Sequence, residues 1–167
     1  MSDLIADART FAIQAHGDQR YGDHPYAFHL DAVAELLAPF GEEAQIAGYL
    51  HDIVEDTETS IDEVREQFGE KVAACVTLVT DESGFNRRER KAKTNAKLSI
   101  VGPDNSLALV VKAADRLANI RESARGGDGS KLGMYRREHA AFKQAAYRPN
   151  LCDEFWNEMD QLLADEN

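Results

Sequence analysis

The stretch "SLALVVKAADRLANIRESA", residues 106 to 124, decides the fold class. Its β-branched run "LALVVKA" favours a strand, since Val side chains fit a pleated sheet well. Its continuation as "ADRLANIRE" instead keeps apolar residues at helical spacing, which favours one long helix. No other segment of the sequence alternates apolar and polar residues convincingly. The sequence therefore predicts an all-α fold.

The rest of the chain predicts further helices, separated by segments rich in Gly, Pro and polar residues. Ser60 and Glu63 fit a capping box, in which a hydroxyl and a carboxylate satisfy free amide groups at a helix start. Asn86 with Glu89 fits a second cap. We predict helices over 3–15, 28–38, 42–57, 60–69, 86–100, 106–124, 131–146 and 151–164, a loop over 16–26 and a short buried segment over 70–80. No internal repeat or linker is visible, so we expect a single domain over residues 1–167.

The composition argues against nucleic-acid and membrane partners. The net charge is −11, from 30 acidic and 19 basic residues, which does not favour a general nucleic-acid-binding surface. No apolar run approaches the roughly 20 residues that cross a bilayer, and the N-terminal "MSDLIADART" has no signal-peptide pattern. Cys75 and Cys152 suggest no disulfide framework. We therefore expect a cytoplasmic protein, and whether it forms a homo-oligomer stays open.

One basic stretch, "RRERKAKTNAK" (87–97), interrupts this acidic chain. Such a run is often a solvated helix face, and it can also be a binding site for a polyanion. The sequence leaves both interpretations open.

The stretch "AGYLHDIVEDTETS" (47–60) places one His and four acids within the eight residues His51–Glu58. Adjacent helical residues point about 100° apart, so His51 and Asp52 can bind one metal ion in a groove between helices. His29, on the preceding predicted helix, and Asp115, an acid in the most apolar helix, are candidate partners. Imidazole and carboxylate suit divalent first-row cations. A salt-bridged helix end is the alternative interpretation of the pair.

Two further acids lie one helical turn beyond the proposed ligands. Glu55 follows His51 by four residues, and Asp56 follows Asp52 by the same interval. Both carboxylates would then lie beside the metal, where they can orient or deprotonate an attacking water. Asn119 lies one turn after Asp115 and is a candidate for substrate contact.

These residues match the pattern H…HD…D, which is typical of the HD phosphohydrolase superfamily. The more specific "HDIVEDT" (51–57) resembles the hydrolase domain of the Rel/SpoT family and its small one-domain relatives of the metazoan SpoT-homologue type. The stretches "AHGDQRYGDHPYAFHLDAVA" (15–34), "TSIDEVREQFGEKVAACVTLVTD" (59–81) and "VVKAADRLANIRE" (110–122) resemble the family segments around that motif. The family fold is all-helical, as the periodicity also predicts.

The resemblance implies a Mn²⁺-dependent 3′-pyrophosphohydrolase that acts on guanosine 3′,5′-bis-diphosphate or a related purine alarmone; another first-row divalent metal stays open. It implies these roles: metal ligands His29, His51, Asp52 and Asp115; catalytic carboxylates Glu55 and Asp56; substrate contacts Arg20, Arg87, Asn119 and Tyr135. Lys112 would help to balance the charge of the substrate. A chain of this length would degrade the alarmone and not make it.

The sequence departs from the family pattern at three positions. Tyr21 follows Arg20 where the family often has a basic residue, Leu30 replaces a usual Pro, and Glu122 stands where Thr or Asp is common. The choice between guanine and adenine therefore stays open. Two other functions also stay open: a different HD phosphohydrolase, such as a nucleotidase or an NADPH phosphatase, and a catalytically silent nucleotide-binding module.

Overall fold

The structure is a computed structural model that describes residues 3–127 and 129–164. It confirms the all-α prediction. The helices are α1 (Asp3–His16), α2 (Ala27–Leu37), α3 (Glu42–Leu50), α4 (Ile53–Asp56), α5 (Ile61–Phe68), α6 (Glu70–Val79), α7 (Arg87–Ser99), α8 (Ser106–Arg125), α9 (Gly129–Ala146) and α10 (Asp153–Leu163). Short 3-10 helices cover Ala38–Phe40 and Pro103–Asn105.

Helix α8 lies at the centre of the fold, and this position accounts for its β-branched, strand-like sequence. Residues 108–114 are all buried, because α2, α6, α9 and α10 pack around this helix. A helix buried on every side can use β-branched residues such as Val110 and Val111, since packing outweighs their small helix penalty. Asp115 and Asn119, one turn apart, are only partly buried, and they mark the face of α8 that borders a cleft.

Two apolar clusters fill the core. One surrounds α8 and includes Phe142 and Trp156, which come from α9 and α10. The other joins the N-terminal helices and includes Leu30, Leu50 and Ile53. Helices α2, α3 and α6 contribute residues to both clusters, so they connect the two halves of the core and hold the segments around His29 and His51 in fixed positions.

The predicted caps are present. The Ser60 side chain accepts a bond from the Glu63 amide, and the Glu63 carboxylate accepts one from the Ser60 amide. Asn86 likewise accepts a bond from the Glu89 amide at the start of α7. Segment 70–80, predicted only as a short buried segment, forms helix α6 up to Val79.

The prediction of one continuous helix over 42–57 is wrong. Helix α3 ends at Leu50, and α4 begins at Ile53. Asp52 between them has φ −103° and ψ 0°, which is the bridge region, where active-site residues often lie. Across this break, Asp52 Oδ2 lies 3.0 Å from His51 Nε2, so the two side chains reach the same point.

The predicted loop 16–26 contains a small hairpin that alternation did not reveal. Strand β1 (Arg20–Tyr21) pairs antiparallel with β2 (His24–Pro25), and Tyr21 lies opposite His24. Two-residue strands are too short to show a period in the sequence. Gly22 in the turn has φ +58°, a conformation that glycine adopts without strain.

Helices α2 and α3 approach closely at one glycine. A Cβ atom at Gly48 would lie 2.7 Å from Leu37 Cδ1 and 3.4 Å from Ala34 Cα. The absence of a side chain at Gly48 therefore permits the spacing between the helix that contains His29 and the helix that precedes His51.

Among the described residues, no helix combines the length and the apolar character needed to cross a membrane.

Candidate metal centre

The four predicted metal ligands come together where three helical segments meet. His29 lies on α2, Asp115 on α8, and the pair His51–Asp52 between α3 and α4. One ligand atom of each lies within 4.8 Å of the others. His29 Nε2 is 3.0 Å from Asp115 Oδ1 and 3.3 Å from His51 Nε2. His51 Nε2 is 3.0 Å from Asp52 Oδ2.

The protonation of His51 fits a metal ligand. Its Nδ1 lies 2.6 Å from the carbonyl oxygen of Gly48, so Nδ1 bears a proton and donates it. In the neutral ring, Nε2 then presents its lone pair toward the carboxylates of Asp52 and Asp115, an arrangement that favours a cation among these atoms. Two imidazole nitrogens and two carboxylate oxygens suit first-row divalent ions. The residues present therefore fit a metal.

The electrostatics of the four residues also favour bound positive charge. Burial lowers the pKa of His51, but Asp52 and Asp115 outweigh burial and raise the pKa well above its ordinary value. Burial raises the pKa of Asp52, yet His51 lowers it to about 2. Burial also raises the pKa of Asp115, but His51 and His29 outweigh burial and hold that pKa well below its usual range. Both carboxylates are therefore ionised at neutral pH.

Each of the two carboxylates has a second partner that fixes its orientation. The hydroxyl of Tyr26 donates to Asp52 Oδ2. Asn119 Nδ2 donates to Asp115 Oδ1 over 2.9 Å. Such outer contacts commonly orient metal ligands, so the donor atoms of this cluster are preorganised.

A cleft of about 280 Å³ opens from the cluster and contains both proposed catalytic acids. Burial raises the pKa of Glu55 to about 7, with further contributions from the charges of Asp81 and Asp52. A carboxylate with such a pKa can accept a proton near neutral pH. Asp56 Oδ2 accepts a hydrogen bond from Gln19 Nε2 over 2.9 Å, so its side chain has a fixed direction.

Part of the cleft lining is cationic. It includes side chains from α7 and α8: Arg87, Arg90, Lys91, Lys112 and Arg116. Glu138 pairs with two of them, at 2.7 Å from Arg87 and 3.2 Å from Arg116. Asp81 pairs with two others, Lys91 and Lys112. The basic run therefore serves partly as a cleft wall and partly as a solvated face.

A second cavity, of about 600 Å³, adjoins this cleft and shares Arg87, Asn119 and Tyr135 with it. Tyr21, His24 and Glu122 line its other parts. The two spaces together offer a narrow polar compartment at the metal cluster and a wider compartment beside it.

Residues 8–137 match the family model described as HD domain. The chain belongs to the HD domain family. This match confirms the resemblance that the motifs indicate, and the four ligand residues lie within the matched HD domain segment.

The chain is similar to HD domain proteins named for alarmone hydrolysis. It is 42% identical over 124 residues to a probable guanosine-3′,5′-bis(diphosphate) 3′-pyrophosphohydrolase of Synechocystis sp.. The aligned segment covers 71% of this chain and 16% of that protein. It is 36% identical over 125 residues to the Homo sapiens guanosine-3′,5′-bis(diphosphate) 3′-pyrophosphohydrolase MESH1. That alignment covers 71% of this chain and 68% of that protein. The chain thus spans about a sixth of the length of the first bacterial relatives.

A solved structure has the same HD domain fold. It is that of a metazoan ortholog of SpoT said to hydrolyse ppGpp, and it matches with a TM-score of 0.82 at 24% identity, over 97% of this chain and 94% of that chain. At this identity the likeness shows the fold alone.

Only some of the predicted substrate residues lie at the cleft of the HD domain. Four of them line it: Arg87, Asn119, Lys112 and Tyr135. Lys112 is buried, however, and its Nζ donates to Val79 O and to Asp81 Oδ1, both at 2.8 Å. Arg20 is exposed and lies outside the residues that line the cleft; its guanidinium donates to the Asp23 carbonyl. The roles of these residues stay predictions.

Sequence reasoning missed several residues of the HD domain cleft. Tyr26 was visible only as part of a Pro-Tyr pair three residues before His29. Asp81 had a better signal, because it is an acid that directly follows a buried apolar run and precedes the basic stretch. Arg116 directly follows a proposed ligand on α8. Glu138 gave no signal, since it meets the cleft residues Arg87 and Arg116 only because α9 packs against α7 and α8.

Proposed function

We propose that this HD domain removes the 3′-pyrophosphate of guanosine 3′,5′-bis-diphosphate, or of a related purine alarmone, and releases pyrophosphate. The observation that supports this function best is the cleft itself. The cluster of four metal-type residues borders a cleft whose lining also includes two acids and five cations. Release of pyrophosphate breaks the phosphoester bond between the 3′-oxygen and the first phosphorus, and a divalent ion, a proton acceptor and positive charge all assist such a hydrolysis.

We propose that His29, His51, Asp52 and Asp115 hold one Mn²⁺ ion. Other first-row divalent ions share its preference for imidazole and carboxylate. The bound ion would supply Lewis acidity, which polarises a phosphoryl oxygen and makes water easier to deprotonate. Tyr26 and Asn119 would keep the two carboxylates aimed at it.

Glu55 would accept the proton of the attacking water. A general base works best when its pKa is near the working pH, and the pKa of Glu55, about 7, meets that condition. Asp56, held by Gln19, would orient the water. The hydrogen bond leaves one carboxylate oxygen of Asp56 for this task.

The cationic wall would receive the phosphates. Arg87 and Arg116 can offer further guanidinium donors, because each has more N–H groups than its bond to Glu138 uses. Asn119 and Tyr135 lie at the junction of the two cavities, where the sugar of a nucleotide would pass. Lys112 would act mainly through its buried charge, because the Val79 carbonyl and Asp81 accept two of its three N–H donors.

The test is a substrate panel with Mn²⁺, covering guanosine and adenosine 3′-pyrophosphates and NADPH, with chromatography of the products. We expect free pyrophosphate and loss of activity with a chelator. Orthophosphate as the product would indicate a different HD phosphohydrolase, and a protein that binds no metal and hydrolyses nothing would indicate a silent module. Glu158→Gln is a suitable control, since Glu158 pairs with Arg121 and does not line the cleft.

A further inference from the structure

The two histidines of the metal cluster are held in different ways. His51 donates its second ring nitrogen to the Gly48 carbonyl. His29 Nδ1 is buried and has no hydrogen-bond partner among the described residues. Ligand histidines are ordinarily oriented by a hydrogen bond from the second nitrogen, so something else must orient the ring of His29.

The ring of Tyr21 covers one face of His29. The two ring centroids are 4.7 Å apart, and the planes differ by only 17°. Tyr26 and His51 meet the His29 ring at steep angles of 56° and 68°, so Tyr21 makes the one stacked contact among these rings. A ring stacked on His29 restricts its rotation about χ2 and keeps Nε2 directed at Asp115.

The hydroxyl of Tyr21 reaches the other side of the same cluster. It donates to Asn119 Oδ1 over 2.8 Å, while Asn119 Nδ2 donates to Asp115 Oδ1. With its oxygen fixed by Tyr21, the Asn119 amide must turn its NH₂ group toward the metal-binding carboxylate.

The backbone of Tyr21 is itself held in place. Tyr21 pairs with His24 in the hairpin, and the Tyr26 amide donates to the Gln19 carbonyl over 3.1 Å. These bonds fix the base of the Tyr21 side chain relative to α2, which begins one residue after Tyr26 and contains His29. A surface loop without such bonds would not hold a ring against a buried imidazole.

We propose that Tyr21 is a positioning residue of the metal centre: its ring orients His29, and its hydroxyl orients Asp115 through Asn119. This inference rests on the metal site of the proposed function. It gives a role to a residue that the sequence marks only as a departure from the family pattern. Tyr21 would act in place of a hydrogen bond at His29 Nδ1, which has no partner among the described residues.

The test compares three variants by Mn²⁺ affinity, measured by competition with a chelator. Tyr21→Leu removes the ring and the hydroxyl, and we expect Mn²⁺ to bind about 10- to 100-fold more weakly, the usual loss for a partner of a metal ligand. Tyr21→Phe keeps the stacked ring and should lose less than about fivefold, since one hydrogen bond is removed. The control is Phe11→Leu, which truncates another half-buried ring that packs against Phe68.

A second readout separates positioning from simple loss of structure. The Co²⁺-loaded Tyr21→Leu protein should show a changed visible absorption spectrum, while Tyr21→Phe and Phe11→Leu keep the wild-type spectrum. Equal Mn²⁺ affinity and equal spectra in wild type and Tyr21→Leu would overturn the inference and leave the proposed function standing. A loss in Phe11→Leu as large as in Tyr21→Leu would also overturn it. A wild-type protein that binds neither ion would overturn both the inference and the proposed function.

Discussion

Gly48→Ala is a sharp test of how the fold holds the metal site, because the contact it creates is defined. The new Cβ atom would lie 2.7 Å from Leu37 Cδ1, whereas ordinary contacts begin near 3.4 Å. At least about 0.7 Å of movement is needed in a core that is packed to crystal density. The clashing atom is the end of a flexible side chain, but Leu37 is 0% exposed, so its movement must be taken up by neighbouring core residues.

Two effects of Gly48→Ala oppose each other. Overpacking of a buried site costs about 1–3 kcal/mol, while replacing Gly by Ala in a helix contributes about 1 kcal/mol. The clash should win, so the variant should lose up to about 2 kcal/mol of unfolding free energy. For a chain of this length each 1 kcal/mol lowers the melting temperature by about 2–4 °C. If α2 moves away from α3, His29 moves from His51, and Mn²⁺ should bind about tenfold more weakly.

The assay is a double-mutant cycle with Leu37→Val, which removes the clashing Cδ1 atom. Thermal unfolding with a chelator gives stability, and Mn²⁺ titration gives affinity, for all four proteins. In the Leu37→Val background, Gly48→Ala should become neutral or stabilising, and the Mn²⁺ affinity should recover. An equal destabilisation in both backgrounds would refute the reasoning, since the coupling between contacting residues would then be absent.

Three further predictions follow from the cleft. Glu55→Gln should keep its Mn²⁺ by elemental analysis and lose about 10²- to 10⁴-fold in kcat; full activity would exclude Glu55 as the base. Burial raises the pKa of Asp81, but Lys112 and Lys91 outweigh it and hold the pKa below its ordinary value, so its stabilisation exists above pH ~4 and fades at lower pH. Asp81→Asn should therefore lose about 3–5 kcal/mol of unfolding free energy at pH 7. The difference in unfolding free energy between wild type and variant should shrink below pH ~4. A difference that stays the same at low pH would contradict the stabilising role of the Asp81 carboxylate. Arg90→Glu should mainly raise KM for the alarmone with little change in kcat, and tight duplex DNA binding by the wild type at physiological salt would contradict this view of the wall.

Most helix positions could be predicted from the sequence because they depend on local signals, and the four residues predicted as metal ligands do lie together. Ser60 and Asn86 fix helix starts by side-chain bonds within three residues, and apolar spacing marks the buried faces. The break at Asp52 gave no sequence signal: no Gly or Pro stands at 51–53, and the contacts of His51 with His29 and Asp115 join it to α2 and α8. The predicted relation of Glu55 to His51 assumed an unbroken helix, yet α4 still places Glu55 in the cleft.

The residues that sequence reasoning missed act through long-range pairs. Tyr21 was noted as a departure from the family pattern, but its partner Asn119 lies 98 residues away. Glu138 reaches Arg87 across 51 residues. Periodicity and residue spacing cannot predict such pairs, because they depend on how α7, α8 and α9 pack together and on where the hairpin lies against α8.

The charges around the cleft explain how an acidic protein can bind a polyanion. Glu138 and Asp81 each pair with two cations, so the two acids neutralise only half of the four positive charges beside them. The excess faces the cleft, while Glu55 and Asp56 lie at the side of the metal ligands. A phosphate-rich substrate would be attracted to the wall formed by α7 and α8 and repelled from the acids, where a neutral water meets no such repulsion.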